Sequence, residues 1–132
     1  MQVDQIIEEI RFLKEKYNTK YFHFTDESYP PALFRKLSQR LIDEKLDIVW
    51  TTHMRFEETL LDEQVWEDAY SSGCRYLHFG FESGNQRVLK LMDKATKLDA
   101  IETNLRMSSE AGIWNHIMGF FGFPGETREE AE

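Results

Sequence analysis

The feature that most constrains the fold is a set of four apolar runs, each ending abruptly in polar residues or glycine. The clearest is residues 76–84, an aromatic and aliphatic run that stops at Glu82, Ser83 and Gly84. The other three runs are residues 21–27, 48–55 and 116–126. Runs of this length and bulk are typical of parallel strands buried on both faces. The polar tips are then expected at the carboxyl ends of the strands, where α/β proteins bind ligands.

Helical patterns separate the apolar runs. Residues 3–17 have apolar side chains at helical spacing and charged side chains on the opposite face. Further helices are predicted from Pro31, from Asp62 to a stop at Gly73, around 88–92, and from a capping box at 96–99 to Gly112, with another capping box at 127–130. Strands spaced by roughly thirty residues match βαβ units, whose right-handed crossovers make the sheet parallel. We therefore predict an α/β fold with a parallel four-stranded sheet and outer helices, either doubly wound or part of a barrel.

Length and composition limit the class of protein. A chain of 132 residues with 41% hydrophobic and 14% aromatic residues is one globular domain with a real core. The net charge of −8 argues against nucleic acid or an anionic membrane as the main partner. The chain has one cysteine, no apolar stretch long enough to cross a bilayer and no signal-peptide pattern at its start. These features predict a reducing, cytoplasmic location.

The tips of the four strands are expected to converge on one rim. Carboxylates there can accept hydrogen bonds from an ammonium group or a ribose diol, and an arginine can pair with a carboxylate. Glycines let backbone amides approach a flat ring. The candidate binding residues are Asp26, Glu27, Arg55, Glu82, Ser83, Gly122, Pro124, Gly125 and Glu126. Helix capping or tight turns explain each one taken singly, whereas the whole set suits a zwitterionic nucleoside.

The order and spacing of the motifs resemble the core of the radical S-adenosylmethionine (radical SAM) enzymes. The matching segments are residues 22–29, 50–55, 72–84, 88–94 and 122–127. They are most similar to the branch that includes cobalamin-dependent and methylthiotransferase-like members. The resemblance implies a partial TIM-type (β/α)₆ barrel that holds S-adenosylmethionine against a 4Fe–4S cluster. Electron transfer from that cluster cleaves S-adenosylmethionine into methionine and a 5′-deoxyadenosyl radical.

The resemblance also implies roles for the strand tips. Asp26 and Glu27 match the motif that receives the methionine amino group, and Arg55 is placed to face the methionine carboxylate. Glu82 and Ser83 match the motif that contacts the ribose. The adenine pocket is assigned to Gly122, Pro124, Gly125 and Glu126.

One feature departs from the family. Its cluster is held by three cysteines spaced C-x₃-C-x₂-C after the first strand, whereas this chain has only Cys74, which matches a packing position. We therefore expect residues 1–132 to be a partial core domain, with the second to fifth barrel strands and without the cluster loop. The intact parent would be the enzyme, with its 4Fe–4S cluster and possible cobalamin, and this chain alone would be inactive. The substrate stays open.

Two other functions compete with this interpretation. The four histidines fall one per predicted strand, and alternation places His53 and His78 on the same face as Arg55 and Glu82, which permits a metal-dependent hydrolase. His23 is expected on the opposite face if Asp26 points inward. The third hypothesis is a noncatalytic remnant or scaffold. In every case an unclosed four-stranded sheet is expected to self-associate through its edges.

Overall fold

The protein forms a four-stranded parallel sheet, here described from a computed structural model for residues 2–25 and 29–132. The strands are β1 (Tyr21–Phe24), β2 (Val49–Met54), β3 (Cys74–Glu82) and β4 (Trp114–Gly119). They lie in the order β1-β2-β3-β4, and every neighbouring pair is parallel. The predicted α/β fold is confirmed.

Helices connect the strands at the predicted places. They are α1 (Val3–Tyr17), α2 (Pro31–Asp43), α3 (Glu63–Ser71), α4 (Gln86–Leu91), α5 (Leu98–Glu110) and α6 (Arg128–Ala131), with a 3₁₀ turn at Glu58–Leu60. One core lies between the helices and one face of the sheet, where Trp50, Leu77 and Phe79 are fully buried. Because these residues alternate with half-buried ones, the other face of the sheet is left for contact with ligands or solvent.

The prediction that β3 is buried on both faces was wrong. Leu77 and Phe79 are buried, whereas Tyr76, His78 and Gly80 are only partly buried. The helices cover the side of Leu77 and Phe79, and the aromatic and histidine side chains lie on the other side. We call that second surface the inner face. Its members are Tyr21, His23, Thr51, His53, Tyr76, His78, Trp114 and His116.

The start and stop of α3 follow the predicted signals. The side chain of Asp62 accepts a hydrogen bond from the Gln64 backbone N–H at 3.1 Å and so caps the helix. After the helix, Gly73 has φ of +100°, and its carbonyl accepts a bond from Trp50 N at 3.0 Å. An added Cβ at Gly73 would lie 2.0 Å from the carbonyl oxygen of Ile48. Only glycine permits this close approach between the end of α3 and β2.

The predicted capping box at 96–99 is not formed. The N-cap of α5 is Lys97, which makes no side-chain cap bond. Gln86 of α4 supplies the missing cap bond. Its Oε1 accepts a bond from Leu98 N at 3.0 Å, and its Nε2 donates to Thr96 O at 3.1 Å. The start of α5 is therefore fixed by α4. The predicted capping box of Thr127 and Glu130 is present.

Candidate functional site

A cavity of about 900 Å³ opens at the carboxyl ends of β2 and β3. Its walls come from residues 53–59, from His78 with residues 80–82, and from residues 93–97, together with Leu89, Ala100 and Met118. The volume falls within the range of about 300–1,000 Å³ that is usual for small-molecule sites. Its place at the strand ends is the one that the parallel topology predicts for a ligand.

Glu82 lies in this cavity in an unusual backbone conformation. Its φ is +65°, and the register of β3 with β4 shifts between Gly80 and Glu82. A bulge of this kind redirects the side chain that follows it. The Glu82 carbonyl accepts a bond from Phe120 N at 3.2 Å, while its carboxylate accepts one from Lys94 Nζ at 3.1 Å. A non-glycine residue in this region costs about 1–3 kcal/mol, and such strain clusters at functional sites.

Charges of both signs surround the cavity. Arg55, which was predicted as a site residue, is exposed and lines it. At the rim, Lys97 Nζ lies 2.7 Å from Glu58 Oε1. This hydrogen bond lowers the pKa of Glu58 and raises the pKa of Lys97, so both groups stay charged across the neutral range. The site can therefore pair with a ligand that has both positive and negative groups.

The remaining wall is apolar. Met54, Phe56, Leu89 and Met118 contribute to it. The ring of Phe56 stacks on Phe79 of β3, with 4.5 Å between ring centroids, so the position of that ring is fixed by the core. A cavity with charged groups near the strand ends and a fixed aromatic wall suits a ligand with a flat ring.

Ser83 is placed differently from Glu82. It is buried, and its Oγ accepts a hydrogen bond from Asn85 N at 3.1 Å. Asn85 in turn caps α4, since its Oδ1 accepts bonds from Arg87 N at 2.9 Å and Val88 N at 3.2 Å. Ser83 therefore holds the turn between β3 and α4, and it does not line the cavity.

The loop after β4 also stands outside the cavity wall. Gly122 and Gly125 have φ of +85° and +91°, which favours glycine at both positions. The Glu126 carboxylate accepts bonds from the backbone N–H groups of Gly122 and Phe123, so it holds the loop closed. Gly122, Pro124, Gly125 and Glu126 thus form one compact turn next to the site.

Arg87 ties this loop to α4. Its Nη2 donates to the Gly125 carbonyl at 2.6 Å, and its guanidinium pairs with Glu130 at the start of α6. The hydrogen bond from Arg87, with a second one from Thr127 N, holds the pKa of Glu130 at about 2 instead of its ordinary 4.5. Neither Arg87 nor Lys94 was singled out from the sequence. Their positions in the sequence do not predict these contacts, because each side chain reaches a residue on another segment of the chain.

Two of the predicted residues, Asp26 and Glu27, lie outside the described residues. Of the described candidates, Arg55 and Glu82 share the cavity, while Ser83 and the loop at 122–126 lie beside it.

Histidines from all four strands meet on the inner face. The ring-nitrogen ligand atoms of His23, His53 and His78 lie within 4.8 Å of one another. The sequence placed His23 on the opposite face only if Asp26 points inward, and Asp26 lies outside the described residues; His23 itself lies on the inner face with His53 and His78. His78 also lies beside His116, with 3.2 Å between their Nδ1 atoms. Partial burial, and then the three neighbouring histidines, lower the pKa of His78.

Cys74 is not placed as a ligand. It is fully buried on the helix-covered side of β3, and burial raises the pKa of its thiol. A 4Fe–4S cluster in this family requires three protein thiolates, and these 132 residues contain one cysteine. The residues present here therefore do not fit such a cluster.

Similar proteins place the chain in a family. The profile of the radical SAM superfamily matches residues 1–132. The chain is 33% identical over 138 residues to an uncharacterized methyltransferase of Pyrococcus horikoshii, with 98% of this chain and 28% of that protein covered. It is 30% identical over 130 residues to the bacteriochlorophyllide d C-12(1)-methyltransferase of Chlorobaculum tepidum, covering 92% of this chain and 27% of that protein.

Solved structures share the fold. The radical S-adenosylmethionine methyltransferase TsrM from Kitasatospora setae, determined with cobalamin and a 4Fe–4S cluster bound, superposes with a TM-score of 0.84 at 17% identity. That match covers 98% of this chain and 27% of TsrM. The cobalamin-dependent radical enzyme OxsB, with aqua-cobalamin bound, gives 0.74 at 19% identity over 90% of this chain and 19% of OxsB.

The chain spans only 23–28% of the length of the curated relatives it matches. Across residues 2–25 and 29–132, none of the helices combines the length and the hydropathy needed to cross a membrane. The match to the family profile covers every residue from 1 to 132. The chain belongs to the radical SAM superfamily.

Proposed function

We propose that this chain forms the S-adenosylmethionine-binding part of a radical SAM enzyme core, in a branch that transfers methyl groups. The observation that carries the proposal is the cavity at the strand ends, which both Arg55 and the strained Glu82 line. Relatives named as methyltransferases support methyl transfer as the reaction of the enzyme that contains this chain. We place residues 1–132 as the second to fifth strands of the barrel and their helices.

The charges of the site match the charges of the ligand. Glu82 would accept hydrogen bonds from the ribose diol, and its bond from Lys94 at 3.1 Å keeps the carboxylate oriented. Arg55 would pair with the methionine carboxylate, and Asp26 with Glu27 would receive the amino group. The bond from Phe120 N to the Glu82 carbonyl brings the chain after β4 next to the ribose position.

The loop after β4 would border the adenine. Gly122, Pro124 and Gly125 form a turn that Glu126 closes, and the two glycines, which have no side chain, would let the backbone approach a flat base. Phe56 supplies an aromatic wall on the other side of the cavity. When bound and reduced by one electron, S-adenosylmethionine supplies a 5′-deoxyadenosyl radical. The thiolates of the cluster that delivers this electron would come from outside these 132 residues.

Calorimetric titration of S-adenosylmethionine into the 132-residue chain tests the proposal. Because no cluster iron chelates the methionine end, we expect weak binding, with Kd on the order of 1 mM, or about −4 kcal/mol. Replacing Glu82 removes a charged hydrogen-bond acceptor that is worth about 1.5–3 kcal/mol. Glu82→Gln should therefore weaken binding at least about tenfold.

Two matched variants serve as controls. Glu44→Gln makes the same chemical change at a carboxylate that pairs with Arg11 and Arg40 away from the cavity, and it should leave Kd unchanged. His78→Ala removes a side chain that lines the cavity without a role in binding the ligand, so its effect should be smaller than that of Glu82→Gln. The proposal would be overturned if the unmodified chain and Glu82→Gln bound S-adenosylmethionine equally well. It would also be overturned if no binding were seen at a ligand concentration 10 times the expected Kd.

A further inference from the structure

We propose that His23, His53 and His78 form a binding site for a divalent transition metal, such as Zn²⁺ or Co²⁺, on the inner face of the sheet. His116 would act as a positioning residue for His78. This site borders the cavity proposed for S-adenosylmethionine, but its ligands are not among the residues assigned to that nucleoside, and neither proposal depends on the other.

The three imidazoles are already close to the separation that a metal requires. Their ligand nitrogens lie within 4.8 Å of one another, and the ring centroids of His53 and His78 are 4.7 Å apart. Zn–N bonds of about 2.0–2.1 Å place two nitrogens of a tetrahedral site roughly 3.4 Å apart. To bind one ion, these nitrogens would therefore have to approach one another by at most about 1.4 Å.

Three neighbouring strands hold these side chains on a common surface. His53 is directly opposite His78 in the register of β2 and β3, and His23 on β1 is opposite Thr51, two residues before His53. A site on paired strands is more rigid than one on loops. His23 is exposed and the other two are half-buried, so an ion can reach them. For the same reason, substituting these histidines does not leave a cavity in the core.

The set of donors selects the type of metal. Three neutral imidazoles suit zinc, copper, nickel and iron, whereas magnesium and calcium prefer oxygen ligands. Three histidine ligands leave the fourth position of a tetrahedral ion open for water or a small ligand. Because His53 and His78 also line the cavity at the strand ends, we infer that the open position faces it.

His116 supplies the support that a metal-bound histidine usually has. The Nδ1 atoms of His116 and His78 are 3.2 Å apart, so one of them donates to the other. That bond fixes the His78 ring and leaves its Nε2 for the metal. The alternative explanation is that the four histidines only fill the inside of a barrel, in which case they have no affinity for an ion beyond that of scattered surface groups.

Titration of Co²⁺ and Zn²⁺ into the untagged, metal-free 132-residue chain, without S-adenosylmethionine, distinguishes these explanations. We expect one equivalent of Co²⁺ per chain, visible ligand-field absorption without a thiolate band, and no change in sedimentation coefficient. An excess of Mg²⁺ should not displace the ion. This titration contains no S-adenosylmethionine. A chain that binds no metal would therefore contradict the metal site and leave the proposed function untouched.

Variants identify the ligands. His23→Gln, His53→Gln and His78→Gln should each weaken Co²⁺ binding by more than about 100-fold, since loss of a ligand costs more than loss of a supporting partner. His116→Gln should weaken it by about tenfold, as supporting residues do, and it should retain the ligand-field bands. Glu9→Gln, which removes one exposed carboxylate on α1, should leave binding unchanged.

Circular dichroism spectra that match across the variants establish that the fold is kept. Binding that survives in His23→Gln would overturn the three-histidine site. So would a stoichiometry of one ion per two chains with a dimer in sedimentation, because the ion would then bridge two molecules.

Discussion

Gly73 shows how a single backbone position fixes the packing of β2. Its φ of +100° and the 2.0 Å distance from an added Cβ to the Ile48 carbonyl oxygen leave no room for any side chain. Gly122 has a similar φ of +85°, but an added Cβ there meets nothing within 4 Å. Comparing alanine substitutions at the two glycines therefore separates the cost of backbone strain from the cost of steric overlap.

We expect Gly122→Ala to lower the free energy of unfolding by about 1–3 kcal/mol through strain alone. Gly73→Ala adds the displacement of Ile48, so its loss should be about 3–5 kcal/mol, up to complete loss of a cooperative transition. Urea unfolding of both variants measures the difference. Equal losses would show that the backbone at Ile48 moves aside freely.

Some residues of the site could be predicted from the sequence, and others could not. Glu82 and Arg55 were found because they follow apolar strands, and the topology brings such residues to one cavity. Lys94 was missed because its contact with Glu82 depends on the bulge between Gly80 and Glu82, and a glycine within a strand indicates a bulge but not the partner of the side chain that follows. The place of His23 beside His53 and His78 did not follow from the sequence, because its face was counted from Asp26, which lies outside the described residues.

At the scale of elements, α4 connects most parts of the site. Its Gln86 replaces the missing cap of α5, and its Arg87 binds the loop after β4 and the start of α6. The sequence predicted all of these helices because apolar spacing and turn residues are local. It predicted the local capping box of α6 but not the support of α5, since the bonds from Gln86 come from another helix.

The pair of Arg87 and Glu130 makes the docking of α6 depend on pH. The folded pKa of Glu130, about 2, is below its ordinary 4.5, so the stabilising contribution is present above pH 4.5 and is lost as the pH falls toward 2. The backbone N–H of Thr127 donates to Glu130 at 2.9 Å and reports this titration.

We expect the amide chemical shift of Thr127 to titrate with a midpoint near pH 2 in the unmodified chain. In Arg87→Met the largest cause of the shift is gone, and the midpoint should rise toward 4.5. Arg106→Met, which breaks an exposed pair with Glu110 on α5, serves as the control and should leave the midpoint in place. A midpoint near 4.5 before any substitution would contradict the role of Arg87.

At the scale of the whole molecule, the sheet is open. Among the described residues, β1 and β4 each pair on one side only. Close to β4 lie strongly exposed aromatic side chains, with Trp114 72% and Phe121 77% exposed. Open strand edges beside apolar surface favour pairing with another chain.

We therefore expect the 132-residue chain to self-associate at low micromolar concentration in sedimentation velocity. Trp114→Ser should reduce the association by removing apolar surface on the edge strand. Tyr17→Ser on α1 removes a residue that is 62% exposed and lies outside β4, so it should leave association through the β4 edge unchanged. A strictly monomeric chain would show that the edges are protected by their own residues.

The central claim is that the cavity at the strand ends binds S-adenosylmethionine through Glu82. The most direct test is to map amide chemical shifts of the 132-residue chain while S-adenosylmethionine is added. We predict that the largest changes fall in residues 53–59, 78, 80–82 and 93–97, and that they shrink in Glu82→Gln at the same ligand concentration. Changes confined to the helix-covered side of the sheet, or changes that persist unaltered in Glu82→Gln, would contradict the account.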